Sequence, residues 1–220
     1  MQYGQLNGRA MIMAARTIAI DEAIGAAPFP QVVILGAGLD GRAWRMPELK
    51  DAVIFEVDHP DSQRDKKVKA APLKQTAKEI RFVAVDFTRD SLDKALQAAG
   101  HDPALPTTWI WEGVVMYLTI AQIEASLATI RQRSAKTSRL IICYLQPAFF
   151  LPIVSLIVRK VGEPLKSTFS AAAMRRLLAK HDFQVVQDED LATVGSRISP
   201  EVVKAARLAN HQRVVTAEFV

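Results

Sequence analysis

The chain has 220 residues, half of them apolar and 23% charged, with 10 Gly, 11 Pro and a single Cys. This is the make-up of one globular domain that can bury a core without disulfides, and one cysteine excludes both a disulfide framework and a cysteine-based zinc site. The apolar content is too high, and the net charge of +5 too modest, for a disordered chain; the cysteine usage fits a reducing, cytoplasmic setting.

The excess charge is spread along the chain and is densest at Arg64-Asp65-Lys66-Lys67-Val68-Lys69. An acid interrupts that run, which reads as a solvated helix face. No basic stripe interleaved with aromatics and no zinc-finger or RNA-recognition signature occurs, so nucleic acid is not an expected partner. Met1 to Ala15 lacks a basic n-region ahead of its brief apolar stretch and does not read as a signal peptide.

In chain order, apolar runs bounded by turn signals alternate with helix-like stretches. Strands are predicted at Gln31 to Leu35, Ala52 to Val57, Ile80 to Val85, Thr107 to Trp111 and Arg139 to Leu145. Helices are predicted at Ser62 to Ala70, Ser91 to Ala99 and Ile120 to Arg133, the last with apolar residues at 120, 123, 127 and 130. Leu140 to Val158 carries no charge and approaches membrane-span length, but Gln146, Pro147 and Pro152 interrupt it. We read a buried strand followed by an apolar flap at about 146–169, whose aromatic stretch Phe149-Phe150-Leu151-Pro152-Ile153 suits a cover over an acceptor and equally a dimer surface or core. Beyond it come a helix from Ser170, its cap, to Lys180, a strand at Phe183 to Gln187, loop and helix over Gly195 to Asn210, and a strand at Arg213 to Val220. Alternating β and α implies a doubly wound, mostly parallel seven-stranded sheet in a single domain over residues 1–220.

The strongest motif is Leu35-Gly36-Ala37-Gly38-Leu39-Asp40-Gly41, directly after the first strand. Glycines there let the backbone bend and approach a ligand where a Cβ would collide. A tight strand-to-helix turn without a ligand uses the same residues. Context narrows the choice: Asp58 ends the second strand, Asp86 the third and Glu112 the fourth. Each acid alone is more often a cap or a surface charge, but ligands of open α/β sheets bind outside the carboxyl ends of strands, where all of them collect. Gly36-x-Gly38-x-x-Gly41 also satisfies the dinucleotide fingerprint, so an NAD(P)-dependent oxidoreductase is an alternative. Asp40 in the turn and Pro47 soon after it weaken a pyrophosphate cradle. An adenosyl sulfonium suits an acid-rich crevice better, which favours S-adenosylmethionine.

The stretch Gln31 to Arg45, with Phe55-Glu56-Val57-Asp58, Asp86-Phe87 and Trp111-Glu112-Gly113-Val114-Val115-Met116-Tyr117-Leu118, resembles the leucine carboxyl methyltransferase-like family, including its bacterial polyketide O-methyltransferase members. The resemblance covers roughly residues 14 to 147, with a weaker echo at Gly162-Glu163-Pro164. It implies a class I methyltransferase fold, S-adenosylmethionine as cofactor, and methylation of a carboxylate or hydroxyl on a small, largely apolar acceptor. By the same resemblance Gly36 and Gly38 line the cofactor, Asp58 holds its ribose, Asp86 and Phe87 flank the adenine, and Glu112 lies near the methionine moiety. Arg16 matches a family arginine, and a guanidinium can grip a carboxylate bidentately; a solvent-facing charge on an N-terminal amphipathic helix is the other reading. Tyr117 matches a substrate-facing tyrosine and is also a plausible core aromatic.

Two departures stand out. The usual Thr-Arg after GAGLD reads Gly41-Arg42 here, and Arg16 lies only 15 residues into the chain, where most members have a longer segment over the active site. Looser closure, or closure by a partner subunit in a homodimer, is the expectation. A module that holds the cofactor without turnover is a further alternative. A carboxylate acceptor needs no general base at neutral pH, whereas a phenol or alcohol does, and the sequence offers no compelling one. His59, His101, His181 and His211 lack metal-ligand spacing, Cys143 reads as a buried apolar residue, and no GxSxG elbow occurs.

Overall fold

The computed structural model describes residues 2–87, 89–148 and 165–220, and within them seven strands form one sheet with helices on both faces. The element order is α1 (Gln2–Gly25), β1 (Gln31–Leu35), α2 (Arg42–Arg45), β2 (Val53–Asp58), α3 (Pro60–Ala70), β3 (Glu79–Ala84), α4 (Leu92–Ala98), β4 (Thr107–Trp111), α5 (Ile120–Gln132) and β5 (Arg139–Leu145). After residues 149–164 follow α6 (Ala171–Lys180), β6 (Phe183–Asp190), α7 (Leu191–Gly195), α8 (Pro200–Ala206) and β7 (Gln212–Phe219). The flap aromatics Phe149 to Ile153 and the Gly162-Glu163-Pro164 echo lie outside the described residues.

The sheet order is β3-β2-β1-β4-β5-β7-β6. The first five strands run parallel, while β7 is antiparallel to both β5 and β6. Central strands β1, β4 and β5 are buried at every position, which is why they read as continuous apolar runs. Alternate residues feed two cores. Val33, Leu35, Phe55, Trp109 and Ile142 pack with Leu96 of α4, Leu127 of α5 and Met174 of α6. Val32, Ile34, Ile54, Ile110 and Ile141 pack on the other face with Ile20 and Ile24 of α1, Val194 of α7 and Val202 of α8. Ile20 and Ile24 are fully buried, and roughly 1.5–3 kcal/mol per such side chain fastens α1 across the sheet.

Local signals end the helices where expected. Thr119 and Gln122 form a reciprocal capping box at the start of α5, and Ser170 caps α6. His59 caps α3 by accepting a hydrogen bond from the Asp61 amide through Nδ1. β3 stops at Ala84, so Asp86 lies two residues beyond its end rather than at it, and Glu112 directly follows β4. β6 runs on to Asp190, past the Gln187 expected, because its acidic half pairs with β7 and Arg213 holds Asp188 (Nε to Oδ1, 2.8 Å). None of the described helices is long and apolar enough to cross a membrane.

Candidate active site at the β1 and β4 switch point

β1 pairs with β2 on one side and β4 on the other, so the chain reverses its winding direction there, and a crevice opens outside the carboxyl ends. The glycine turn forms its floor. Gly36 and Gly38 adopt φ of +70° and +45°, the left-handed region that side chains resist. The amides of Gly36 and Ala37 both donate to the Val57 carbonyl (2.8 and 3.1 Å), and that of Gly38 donates to Asp58 Oδ2 (2.5 Å). Asp58 Oδ1 accepts from the His59 amide at 2.6 Å. This carboxylate therefore ties the turn to the end of β2, and its remaining lone pairs stay open to a further donor.

Gly41 is different: its φ is −106° and a Cβ there would meet nothing within 4 Å. The helix after it has only four residues, because Met46 is extended ahead of Pro47. Nothing at Gly41 thus demands a glycine, and no long helix begins there as a pyrophosphate cradle requires.

A cleft of about 400 Å³ lies between this turn and α1, within the size range of small-ligand sites. Met13, Arg16 and Thr17, one face of α1, form one wall, and Gly36 to Arg42 with Glu112 form the other. Arg16 Nε donates to Glu112 Oε1 at 2.7 Å, and Arg42 Nη1 donates to Glu112 Oε2 at 2.9 Å. Arg42 also holds Asp21 (Nε to Oδ1, 2.7 Å) and pairs with Asp40. Arg45 completes the network on Asp21 at 2.6 Å. Burial alone would lower the Arg42 pKa, but Asp40 and Glu112, with the hydrogen bonds to Asp21 and Glu112, carry it above the ordinary arginine value.

The structure thus brings Arg16, Gly36, Gly38 and Glu112 to one cleft, with Asp58 behind the turn. Asp86 and Phe87 do not line that cleft. The Asp86 amide bonds to Asp90 Oδ2 (2.8 Å), and Phe87 borders a separate hollow of about 230 Å³ with Ser91, Leu118 and Gln122. Tyr117 packs with Met116, Leu145, Ala148 and Leu165 beyond β4 and β5. Sequence reasoning passed over Arg42 and Asp21. Asp21 continues the Met13, Arg16, Thr17 spacing by one helical turn, a polar stripe that could have been noticed; its partner 21 residues on could not.

The histidines are quiet. His101 is buried between Phe55 and Trp109, and burial and Arg133 push it down to about 4, so it stays neutral at pH 7. Cys143 is buried beside the Arg16–Glu112 pair, and burial pushes its thiol up to about 12.

One further pair sits on the α1 side of the sheet. Glu56 of β2 is fully buried against Lys66 of α3, whose ammonium lies 2.7 Å from Oε2 and 5.3 Å from the Trp44 ring centroid. Neither charged end has a partner in hydrogen-bond geometry. Burial, opposed by Lys66, pushes Glu56 up to about 7.

Sheet order, antiparallel β7, glycine turn and cleft together define a class I methyltransferase fold. Residues 3–131 match the family described as Leucine carboxyl methyltransferase, and the chain belongs to that family. A Mycobacterium sp. (strain JLS) protein provisionally named an S-adenosyl-L-methionine-dependent methyltransferase is 39% identical over 130 residues, 59% of this chain and 43% of that protein. A Streptomyces coelicolor protein with the same kind of name is 45% identical over 114 residues, 50% of this chain and 39% of its own length. The chain therefore spans less than half the length of these curated relatives. Among solved structures, a Thermobifida fusca protein provisionally named a methyltransferase aligns with TM-score 0.68 at 15% identity, covering 97% of this chain and 82% of that one. The Burkholderia thailandensis 1,6-didemethyltoxoflavin-N1-methyltransferase, solved with 1,6-didemethyltoxoflavin and S-adenosylhomocysteine, aligns with TM-score 0.60 at 17% identity over 96% of this chain and 79% of its own. At these identities the structural likeness is one of fold alone.

Proposed function

We propose that the protein is an S-adenosylmethionine-dependent O-methyltransferase acting on a small, largely apolar acceptor. The observation that carries this reading is the facing of Arg16 and Glu112 across a cleft floored by Gly36 and Gly38. A guanidinium and a carboxylate are the complements of an amino acid's carboxylate and ammonium, and the glycine turn leads from them to Asp58, whose free lone pairs suit ribose hydroxyls. Asp86 and Phe87 would extend the site to the adenine. A Cβ on Gly38 would meet only the Gly36 carbonyl oxygen, at 3.9 Å, so no side chain packs over the turn there.

Once bound, the cofactor supplies an electrophilic methyl group on sulfur. The chain's task is then to orient the acceptor oxygen in line, exclude water and hold charge in place; positioning of this kind is worth about 7–11 kcal/mol. Among the described residues, Arg16, Asp40, Arg42, Arg45 and Glu112 are the titratable ones lining the cleft or its mouth, and every one is engaged in an ion pair. None is a poised base. That favours an acceptor already ionised at pH 7, a carboxylate rather than a phenol, with Tyr117 on the acceptor side. The short α2 and the Gly41 backbone speak against a dinucleotide.

Incubation with methyl-deuterated S-adenosylmethionine and a panel of apolar carboxylic acids and phenols tests the proposal. A labelled methyl ester is the expected product. Label found only on nitrogen, or cofactor bound without transfer to any oxygen, would overturn it.

A further inference from the structure

We propose that Arg42 is a positioning residue that presents Glu112 to the amino-acid end of the cofactor, while Arg16 is the guanidinium that changes partner when the ligand arrives. This rests on the cofactor reading above.

The two arginines share one carboxylate but are held very differently. Arg42 is 3% exposed, and its guanidinium gathers carboxylates from three chain segments: Asp21 of α1, Asp40 of the glycine turn and Glu112 past β4. Its own amide donates to Asp40 Oδ1 at 2.8 Å, so turn and guanidinium are clamped as a unit. Arg16 is 17% exposed, faces the cleft, and is held by Glu112 Oε1 through Nε at 2.7 Å. Glu112 is therefore divided between them, Oε2 to Arg42 and Oε1 to Arg16.

Displacing Arg42 would leave Asp40, only 7% exposed, without a counter-charge, and would leave Asp21 and Glu112 with one guanidinium each, Arg45 and Arg16. Buried carboxylates without a counter-charge are costly, so Arg42 stays. Arg16 surrenders one contact at the cleft edge, and an incoming zwitterion replaces both halves of it. The ligand's ammonium donates to Oε1, and its carboxylate accepts from Arg16. Arg42 can serve Asp21 and Glu112 together because Nε and Nη1 of one rigid plane point at different carboxylates, a geometry that a lysine ammonium lacks.

The experiment is calorimetric titration of the wild-type protein and the Arg42→Lys variant with S-adenosylhomocysteine and with 5′-methylthioadenosine, which keeps the adenosyl thioether but lacks the amino-acid end. Arg42→Lys is expected to raise the Kd for S-adenosylhomocysteine at least about tenfold and to leave that for methylthioadenosine within about twofold. In a Glu112→Gln background the same substitution should cost far less, since the partner it orients is gone. Equal losses for both ligands, unchanged S-adenosylhomocysteine affinity, or an undiminished cost beside Glu112→Gln would each overturn the assignment. If Arg42→Lys fails to fold, Asp21→Asn removes one anchor of the guanidinium and must show the same ligand selectivity, or the assignment is overturned. Wild-type protein that binds neither ligand would instead overturn the cofactor reading itself.

Discussion

The glycine turn makes the most exposed prediction of the account, because its glycines are unequal. An ideal Cβ on Gly36 would lie 2.3 Å from Val114 Cγ2, at a φ of +70°. A non-glycine residue in that region costs roughly 1–2 kcal/mol, and forcing a methyl into a packed contact adds about 1–3 kcal/mol. Gly36→Ala should therefore destabilise the protein by about 2–5 kcal/mol. At roughly 2–4 °C per kcal/mol for a chain of this size, thermal denaturation should show a Tm lower by about 4–20 °C. In a Val114→Ala background the overlap disappears and only the backbone cost of about 1–2 kcal/mol remains. Gly41→Ala, with φ of −106° and open space around its Cβ, should change stability by less than about 0.5 kcal/mol. Equal Tm values for the Gly36 and Gly41 variants would refute the reasoning and restore Gly41 as a structural member of the motif.

Three further outcomes follow from the same geometry. Asp58→Ala removes the acceptor of the Gly38 amide and the proposed ribose partner, and should weaken S-adenosylhomocysteine binding by roughly 1–3 kcal/mol in calorimetry; unchanged affinity would remove Asp58 from the site. Glu56, raised from 4.5 to about 7 in the fold, binds more protons folded than unfolded between those values. Its contribution is thus fully present below about pH 4.5 and lost as pH rises through 7, on the order of 3 kcal/mol. Glu56→Gln should flatten that part of the pH–stability curve in urea titrations, and a slope identical to wild type would contradict the assignment. Lys66→Met removes the charge that opposes the burial of Glu56, so Glu56 should stay protonated to higher pH and the cost of the substitution should grow as pH rises through and above 7; a loss independent of pH would mean the ion pair is not its origin.

Much of the sheet was legible because central strands have no solvent face. β1, β4 and β5 are buried at every residue, so their apolar runs begin and end with the strands. β3 was less legible: this edge strand starts at exposed Glu79, and no continuous run marks its limits. β6 hid its second half behind Gln187 to Asp190, polar residues that enter the strand because Arg213 and Arg197 neutralise them. In the site, Gly36 announced itself through local chain geometry, and Glu112 through its place after a strand. The Arg42 network did not, since Asp21, Arg42 and Glu112 stand 21 and 70 residues apart and meet only because α1 folds back over the turn. Glu56 likewise looks like one more strand-end acid: it shares a face of β2 with Asp58, and only the packing of α3 and Lys66 over it makes it fully buried.

The central claim is that the β1–β4 crevice accepts an adenosyl amino acid in preference to a dinucleotide. Side-by-side calorimetric titration of the wild-type protein with S-adenosylhomocysteine and NADH tests it most directly. Saturable heat with S-adenosylhomocysteine and none with NADH is the result expected here; the reverse pattern would contradict the account.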